Sequence, residues 1–345
     1  MSRLFTSGAE AASLGVFTAA GAGASISAVQ KRTGAYSFYQ SAQYGAFGSA
    51  ALGGDKTVLY FRVGLYLISL ASTWIRTPLI QLYDSAGWHQ CMLAFNPADR
   101  LLHVLKGYWG SYVDLGVAVH PVPLNQWCCI EWYIKIGESP DGESTVKLDG
   151  ATEITISGVD TRQTAVAGAR TLMYGAGDLA SSRDGMVGYL DDLAINDSAG
   201  AVNNSWIGRG GIYGVVPEGV GAYTDLHAQG HANPWDCISE VPPDDADYVY
   251  DDTVDQKSTY ALTALTPTTG TIACINVIMR AKLDAVGTGN IARLIRSNGT
   301  DSQGADVGLD TSPKTIQENI ETDPSGGGAW TISRINALEA GAVVR

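Results

Sequence analysis

No stretch of this chain comes near about 18 uninterrupted apolar residues, so no membrane-crossing helix is expected. Charge is scarce as well: 17% of the 345 residues are charged, and 22 Lys and Arg face 35 Asp and Glu, for a formal net charge of -13. No Lys/Arg cluster offsets that excess. A phosphate backbone would be repelled, which excludes nucleic acid as a partner. Cysteine comes as an odd count at irregular spacing, Cys91, Cys128, Cys129, Cys237 and Cys274, with no C-x-x-C pair. That pattern predicts neither a disulfide framework nor a metal knuckle. It predicts buried free thiols in a chain made in a reducing cytoplasm. The opening MSRLFTSGAEAASLGVFTAAGAG has one Arg, an interrupting Glu10 and several glycines, so it is not expected to act as a signal peptide. The sequons at 203–205 and 298–300 then carry no weight.

The runs of Glu, Lys, Arg and Leu that build long helices are missing too. In their place stand 41 Gly, 16 Tyr and 8 Trp, a composition suited to strands and tight turns. In 55–67, Leu59, Phe61, Val63, Leu65 and Leu67 recur at period two, the mark of a strand with one buried face. Residues 77–95 read as two strands around the turn DSAG. In 126–158, Ile130, Trp132, Ile134 and Ile136 share a face, SPDG makes one turn and Asp149-Gly150 the next. This predicts a three-strand meander. Residues 158–186 read as a loop, and 213–247 as a Gly-, Pro- and Asp-rich surface connector. Further on, 271–284 and 290–299 are expected to pair as a hairpin. WTISRINALEAG (330–341) reads as one short helix, capped by Thr331 or Ser333 and stopped at Gly341.

Several stretches invite a chemical reading. GYLDDLAIND (188–197) packs Asp191, Asp192 and Asp197 together, and paired carboxylates cut glycosidic bonds when they converge within roughly 5–10 Å. Strand alternation sends Asp191 and Asp192 to opposite faces, and no Glu-x-Asp-x-Glu or Glu-x-Asp-x-x-Glu pattern occurs. These acids are therefore expected to tie loop N–H groups or an Arg. The acidic run from Glu240 to Asp255 offers Asp244, Asp245 and Asp247 as calcium candidates, without EF-hand spacing. His227 and His231 stand four apart, the zinc spacing of a helix, but in a Gly-rich stretch. His89, His103 and His120 read as ordinary residues in or beside strands. GTGNIA (287–292) lacks the strand–turn–helix setting of a dinucleotide fingerprint. Trp88, Tyr108, Trp109 and Tyr112 lie near turns, where aromatics stack on sugar rings or bury at interfaces. No catalytic residue, cofactor or bound metal is expected.

In order along the chain, RTGAYSF (32–38), TVLYFRVGLYL (57–67), QWCCIEWYIKI (126–136), VKLDG (146–150) and GYLDDLAIND resemble the laminin-G/concanavalin A-like jelly roll. The resemblance covers about residues 1–210. A second one links LDDLAINDSAGAVNNSWIG (190–208), EVPPDDADYV (240–249) and TDPSGGGAWTISRINALEAGAV (322–343) to tailed-bacteriophage virion proteins that carry such a lectin-like domain. Together they imply an all-β chain of two β-sandwich, jelly-roll-like domains in tandem with one short C-terminal helix. The expected division is 1–210, the connector 211–247, and a second small sandwich at 248–345. The implied function is a non-enzymatic virion component of the tail tip, baseplate or fibre, acting as an adaptor or as a lectin-like binder of the host surface. Its expected partners are other virion proteins, further copies of itself (a trimer, for example) and a host-surface glycan. The alternatives are a head decoration or head-fibre protein, a carbohydrate lectin, and a polysaccharide depolymerase.

Overall fold

The alternating run at 55–67 forms the strand Val58–Leu70, and Leu59, Phe61, Val63, Leu65 and Leu67 are all buried. It runs between Trp127–Lys135 and Met186–Asp197 in an eight-stranded antiparallel sheet. The expected meander follows as Trp127–Lys135, Gly142–Leu148 and Ala151–Val159. Ser37–Gln40, Ala24–Ser27 and Arg3–Ser7 complete this first sheet. A computed structural model describes residues 2–21, 23–41, 46–71, 76–108, 111–175 and 185–345. Trp109 lies outside the described residues.

The second sheet has seven strands in the order Ser111–Val117, Leu102–Tyr108, His89–Phe95, Thr77–Tyr83, Ala169–Gly175, Ala46–Lys56 and Ala19–Ala20. Ala169–Gly175 corrects the expected loop at 158–186. Its Leu172 and Tyr174 are fully buried, so small neighbours had concealed a central strand. The core lies between the sheets. Phe17 bridges them, with its ring 5.1 Å from Phe38 on the first sheet and 6.4 Å from Tyr174 on the second. Phe61 stacks on Trp132 at 5.2 Å, and the Trp132 indole N–H donates to Ser144 Oγ at 2.9 Å.

The chain divides into two units, Met1–Ala9 with Phe17–Ile212, and Glu10–Val16 with Tyr213–Arg345. The main sheet of the second unit runs Pro217–Thr224, Lys257–Leu262, Glu339–Val344, Asn290–Ser297, Thr300–Gln303. Two ribbons, His227–Gln229 with Tyr248–Tyr250 and Ile275–Ala281 with Lys314–Ile320, are separate from it in strand pairing. Its core gathers Ile295, Ile320, Trp330, Ile335 and Leu338. The chain is thus all-β in two sandwich-like units, with one short helix among the described residues, Ile332–Ile335, capped by Thr331.

Three local expectations are corrected. Ile275–Ala281 pairs with Lys314–Ile320, not with Asn290–Ser297, because Asn298 and Gly299 at positive φ turn the latter strand into Thr300–Gln303 instead. The helix is a single turn, since Gly341 belongs to the strand Glu339–Val344 rather than to a cap. Part of the stretch read as a connector forms strands, Pro217–Thr224 and His227–Gln229.

Candidate functional site

The carboxylates of GYLDDLAIND do not alternate as expected. Asp191 is paired with Gly64 and Ala194 with Arg62, so the strand holds one extra residue there, and Asp192 sits at φ 54°. This bulge breaks the alternation and turns both acids onto the same loop. Asp191 accepts from the backbone N–H of Arg32 (2.8 Å) and Thr33 (3.2 Å). Asp192 accepts from the Arg32 guanidinium, Thr33 Oγ1 (2.6 Å) and the Ile212 N–H (2.6 Å). Arg32 also donates to the carbonyls of Arg209 and Gly210, and Glu131 accepts from the Gly208 N–H at 2.7 Å. Both acids are fully buried. Burial, and then the charge of Asp192, raise the Asp191 carboxyl well above its ordinary value. The cluster fastens the loop at 32–33 and the strap at 208–212 to the closing strand, and it leaves no carboxylate pair facing a substrate.

A different cluster has the makings of a site. The register across the second sheet places Met173, Gln81, Met92, Leu105 and Asp114 in one row. These side chains point away from the core side, where Leu82, Cys91 and Leu172 lie. That second face is buried over much of its area as well. Tyr83 and His89, in the next row, bring their rings to 4.2 Å. The Tyr83 O–H donates to Gln81 Oε1 at 3.3 Å, and Gln81 Nε2 donates to the Gly175 carbonyl at 3.2 Å. Toward the other end of the face, His103 Nδ1 lies 2.7 Å from Asp114 Oδ2, and Arg76 Nη2 reaches the same oxygen at 3.0 Å. Arg76 Nη2 also lies 3.3 Å from His103 Nδ1, and His103 Nε2 is buried without a hydrogen-bond partner among the described residues. A carboxylate that orients an imidazole, and a phenol beside a second imidazole, are groups that move protons. His89 and His103 lie in strands, as expected, His89 packed on the Tyr83 ring and His103 buried beside Asp114. Beyond the hairpin that brings His89 to Tyr83, the cluster is assembled by strand register from residues up to 94 apart.

The expected aromatic candidates fall around this face. Trp88 follows the turn between Thr77–Tyr83 and His89–Phe95, is 67% exposed, and donates its backbone N–H to Asp84 Oδ1. Tyr112 is half-buried and packs on Met92, Ala94 and Leu105. Tyr108 pairs with Ser111 across the adjoining hairpin. A second aromatic array, unexpected from sequence, crosses the outer face of the first sheet. Trp127, Tyr66, Tyr189 and Tyr39 stand opposite one another on four strands, with ring centroids 5.7, 6.0 and 4.9 Å apart. None of these four side chains is an imidazole or a carboxylate.

Of the three calcium candidates, Asp245 is engaged by both Nε and Nη2 of Arg280 at 2.6 Å, which holds its carboxyl below the usual value. Asp244 accepts from the Ala246 N–H, and Asp247 contacts His231 at 3.1 Å. The three do not converge on one point. Cys91, Cys128, Cys129 and Cys237 are buried free thiols, while Cys274 is half-buried. Burial pushes Cys129 up to about 11 and Cys128 up to about 12, so neither is a nucleophile near neutral pH.

No family model matches the sequence, and no curated protein matches it. Solved structures similar to the chain are jelly-roll-like carbohydrate-active proteins. The endo-β-1,4-glucuronan lyase of the fungus Trichoderma reesei is 12% identical with a TM-score of 0.39, over 50% of this chain and 86% of that one. An alginate lyase of Aplysia kurodai is 11% identical with a TM-score of 0.41, over 56% and 99%. A carbohydrate esterase of the Shiga toxin-encoding bacteriophage phi24B is 14% identical with a TM-score of 0.41, over 56% and 97%. Two of these are lyases and one is an esterase, against the expectation of a non-enzymatic protein.

Proposed function

We propose that the first unit engages a polysaccharide against the outward face of its second sheet, and that Tyr83, His89 and His103 supply the proton-transfer groups for cleaving it. One observation carries this reading: a Tyr, a Gln, two His, an Arg and an Asp share a sheet face whose other residues are Met, Leu and Ala. Trp88 and Tyr112 offer ring faces for stacking on sugars. The test is to incubate the chain with a panel of bacterial capsular and uronate-containing polysaccharides and follow chain ends and unsaturated products. Tyr83→Phe and His89→Ala should each lower cleavage by about 100-fold or more, while Tyr189→Ala on the other sheet leaves it unchanged. Binding without cleavage removes the proton-transfer roles, and neither binding nor cleavage removes the whole reading.

We also propose that the chain works in a tailed-bacteriophage particle, at the tail tip, baseplate or fibre, assembled in the host cytoplasm with copies of itself and with other virion proteins. The support is the likeness of 190–208, 240–249 and 322–343 to virion proteins with a lectin-like domain. Gold-labelled antibody against the chain should decorate the tail end of particles in electron micrographs. Label over the head favours the decoration or head-fibre alternative, and unlabelled disrupted particles sink the virion assignment.

A further inference from the structure

The sequence offered His227 and His231 as a zinc pair, and the structure separates them. His227 lies 3.7 Å from Asp251, whereas His231 joins two acids from other segments. The ribbon His227–Gln229 with Tyr248–Tyr250 has Gln229 opposite Tyr248 at one end, and there the chain carries His231 and Asp247 side by side. Glu240, two residues after the short turn Asp236–Ile238, reaches the same spot. His231 Nε2 lies 3.1 Å from Asp247 Oδ2 and 4.0 Å from Glu240 Oε1, and the three ligand atoms all fall within 4.8 Å of one another.

We propose that His231, Glu240 and Asp247 bind a divalent transition-metal ion of the zinc class, with further positions open to water. A tetrahedral zinc with ligands at about 2.0–2.2 Å holds its donors roughly 3.3–3.6 Å apart, between the two contacts seen here. The charge balance calls for a cation. Among the described residues no Lys or Arg forms a salt bridge with Glu240 or Asp247, and His231 is the one basic side chain that meets both. The neighbouring Asp245, by contrast, is neutralised by Arg280 and takes no part. One ligand is also fixed in advance. Gly230 is at φ 107°, and a Cβ there would lie 1.8 Å from Asp247 Oδ1. Only glycine lets the backbone approach so closely, and it seats one carboxylate oxygen while the other faces His231. An imidazole nitrogen among the donors favours zinc, copper or nickel over calcium. The side chains are 48%, 29% and 24% exposed, which gives an ion a way in and leaves room for a water ligand.

The decisive experiment is calorimetric titration of the metal-stripped full chain with zinc chloride. One equivalent should bind, calcium in large excess should not displace it, and His231→Ala and Glu240→Gln should each weaken binding at least tenfold with an unchanged far-UV spectrum. His227→Ala should bind as the parent does. No stoichiometric zinc binding, or undiminished binding by both His231→Ala and Glu240→Gln, overturns the proposal. Glu240→Gln keeps the test valid if His231→Ala does not fold.

Discussion

The buried Asp191 shows how one misplaced residue in a strand changes the meaning of a motif. Parity predicted two acids on two faces, and the extra residue at the Asp192 bulge gathered them over Arg32 and Thr33. The cost of burying Asp191 beside a second acid appears as a pH dependence. The folded chain keeps the Asp191 proton at pH values where the unfolded chain, at the ordinary 3.8, has lost it. The contribution of this group to stability is therefore complete below about pH 4 and is lost as pH rises toward the elevated folded value. Urea midpoints measured from pH 4 to 8 should fall more steeply for the parent than for Asp191→Asn. The gap should change in favour of the variant by at most about 1.4 kcal/mol per pH unit. Parallel curves would show that Asp191 titrates normally in the folded chain.

Among the elements, glycines of the second unit separate two kinds of constraint. Gly299 closes the hairpin after Asn290–Ser297 at φ 82°, and the nearest atom to an added Cβ there is Arg296 Nη2 at 3.9 Å. The cost of Gly299→Ala is thus conformational alone, about 1–2 kcal/mol. Gly341 sits between two strands, and its Cβ would fall 1.9 Å from the Ser258 carbonyl oxygen. Gly341→Ala must push a neighbouring strand aside, so it should destabilise clearly more than Gly299→Ala, as chemical denaturation of both variants would measure. The same contrast explains what could be read beforehand. The meander was legible because alternating Ile130, Trp132 and Ile134 ended in Asp149-Gly150, a local signal. The strand Ala169–Gly175 was not, because its place between two partners depends on residues far away in sequence. The polar face was hidden for the same reason. Single histidines at 89 and 103 carry no local mark; the hairpin around DSAG brings His89 to Tyr83, and strand register sets His103 beside Asp114.

For the whole molecule, the expected order was sandwich, connector, sandwich. The second unit instead begins with Glu10–Val16 and resumes at Tyr213. Val16 is buried, its carbonyl accepts from Gln317 Nε2 at 2.6 Å, and Gly15 packs against Thr315. A fragment of residues 213–345 should therefore show faster amide hydrogen exchange in Lys314–Ile320 than the full chain does. Equal protection would mean that the early segment contributes nothing to that ribbon.

That early excursion also bears on inheritance. A crossover near codon 212 would deliver Tyr213–Arg345 without the seven residues Glu10–Val16 that complete it. A viable swap needs matched breakpoints on both sides of that short insert, so the two units should travel through recombination as one block.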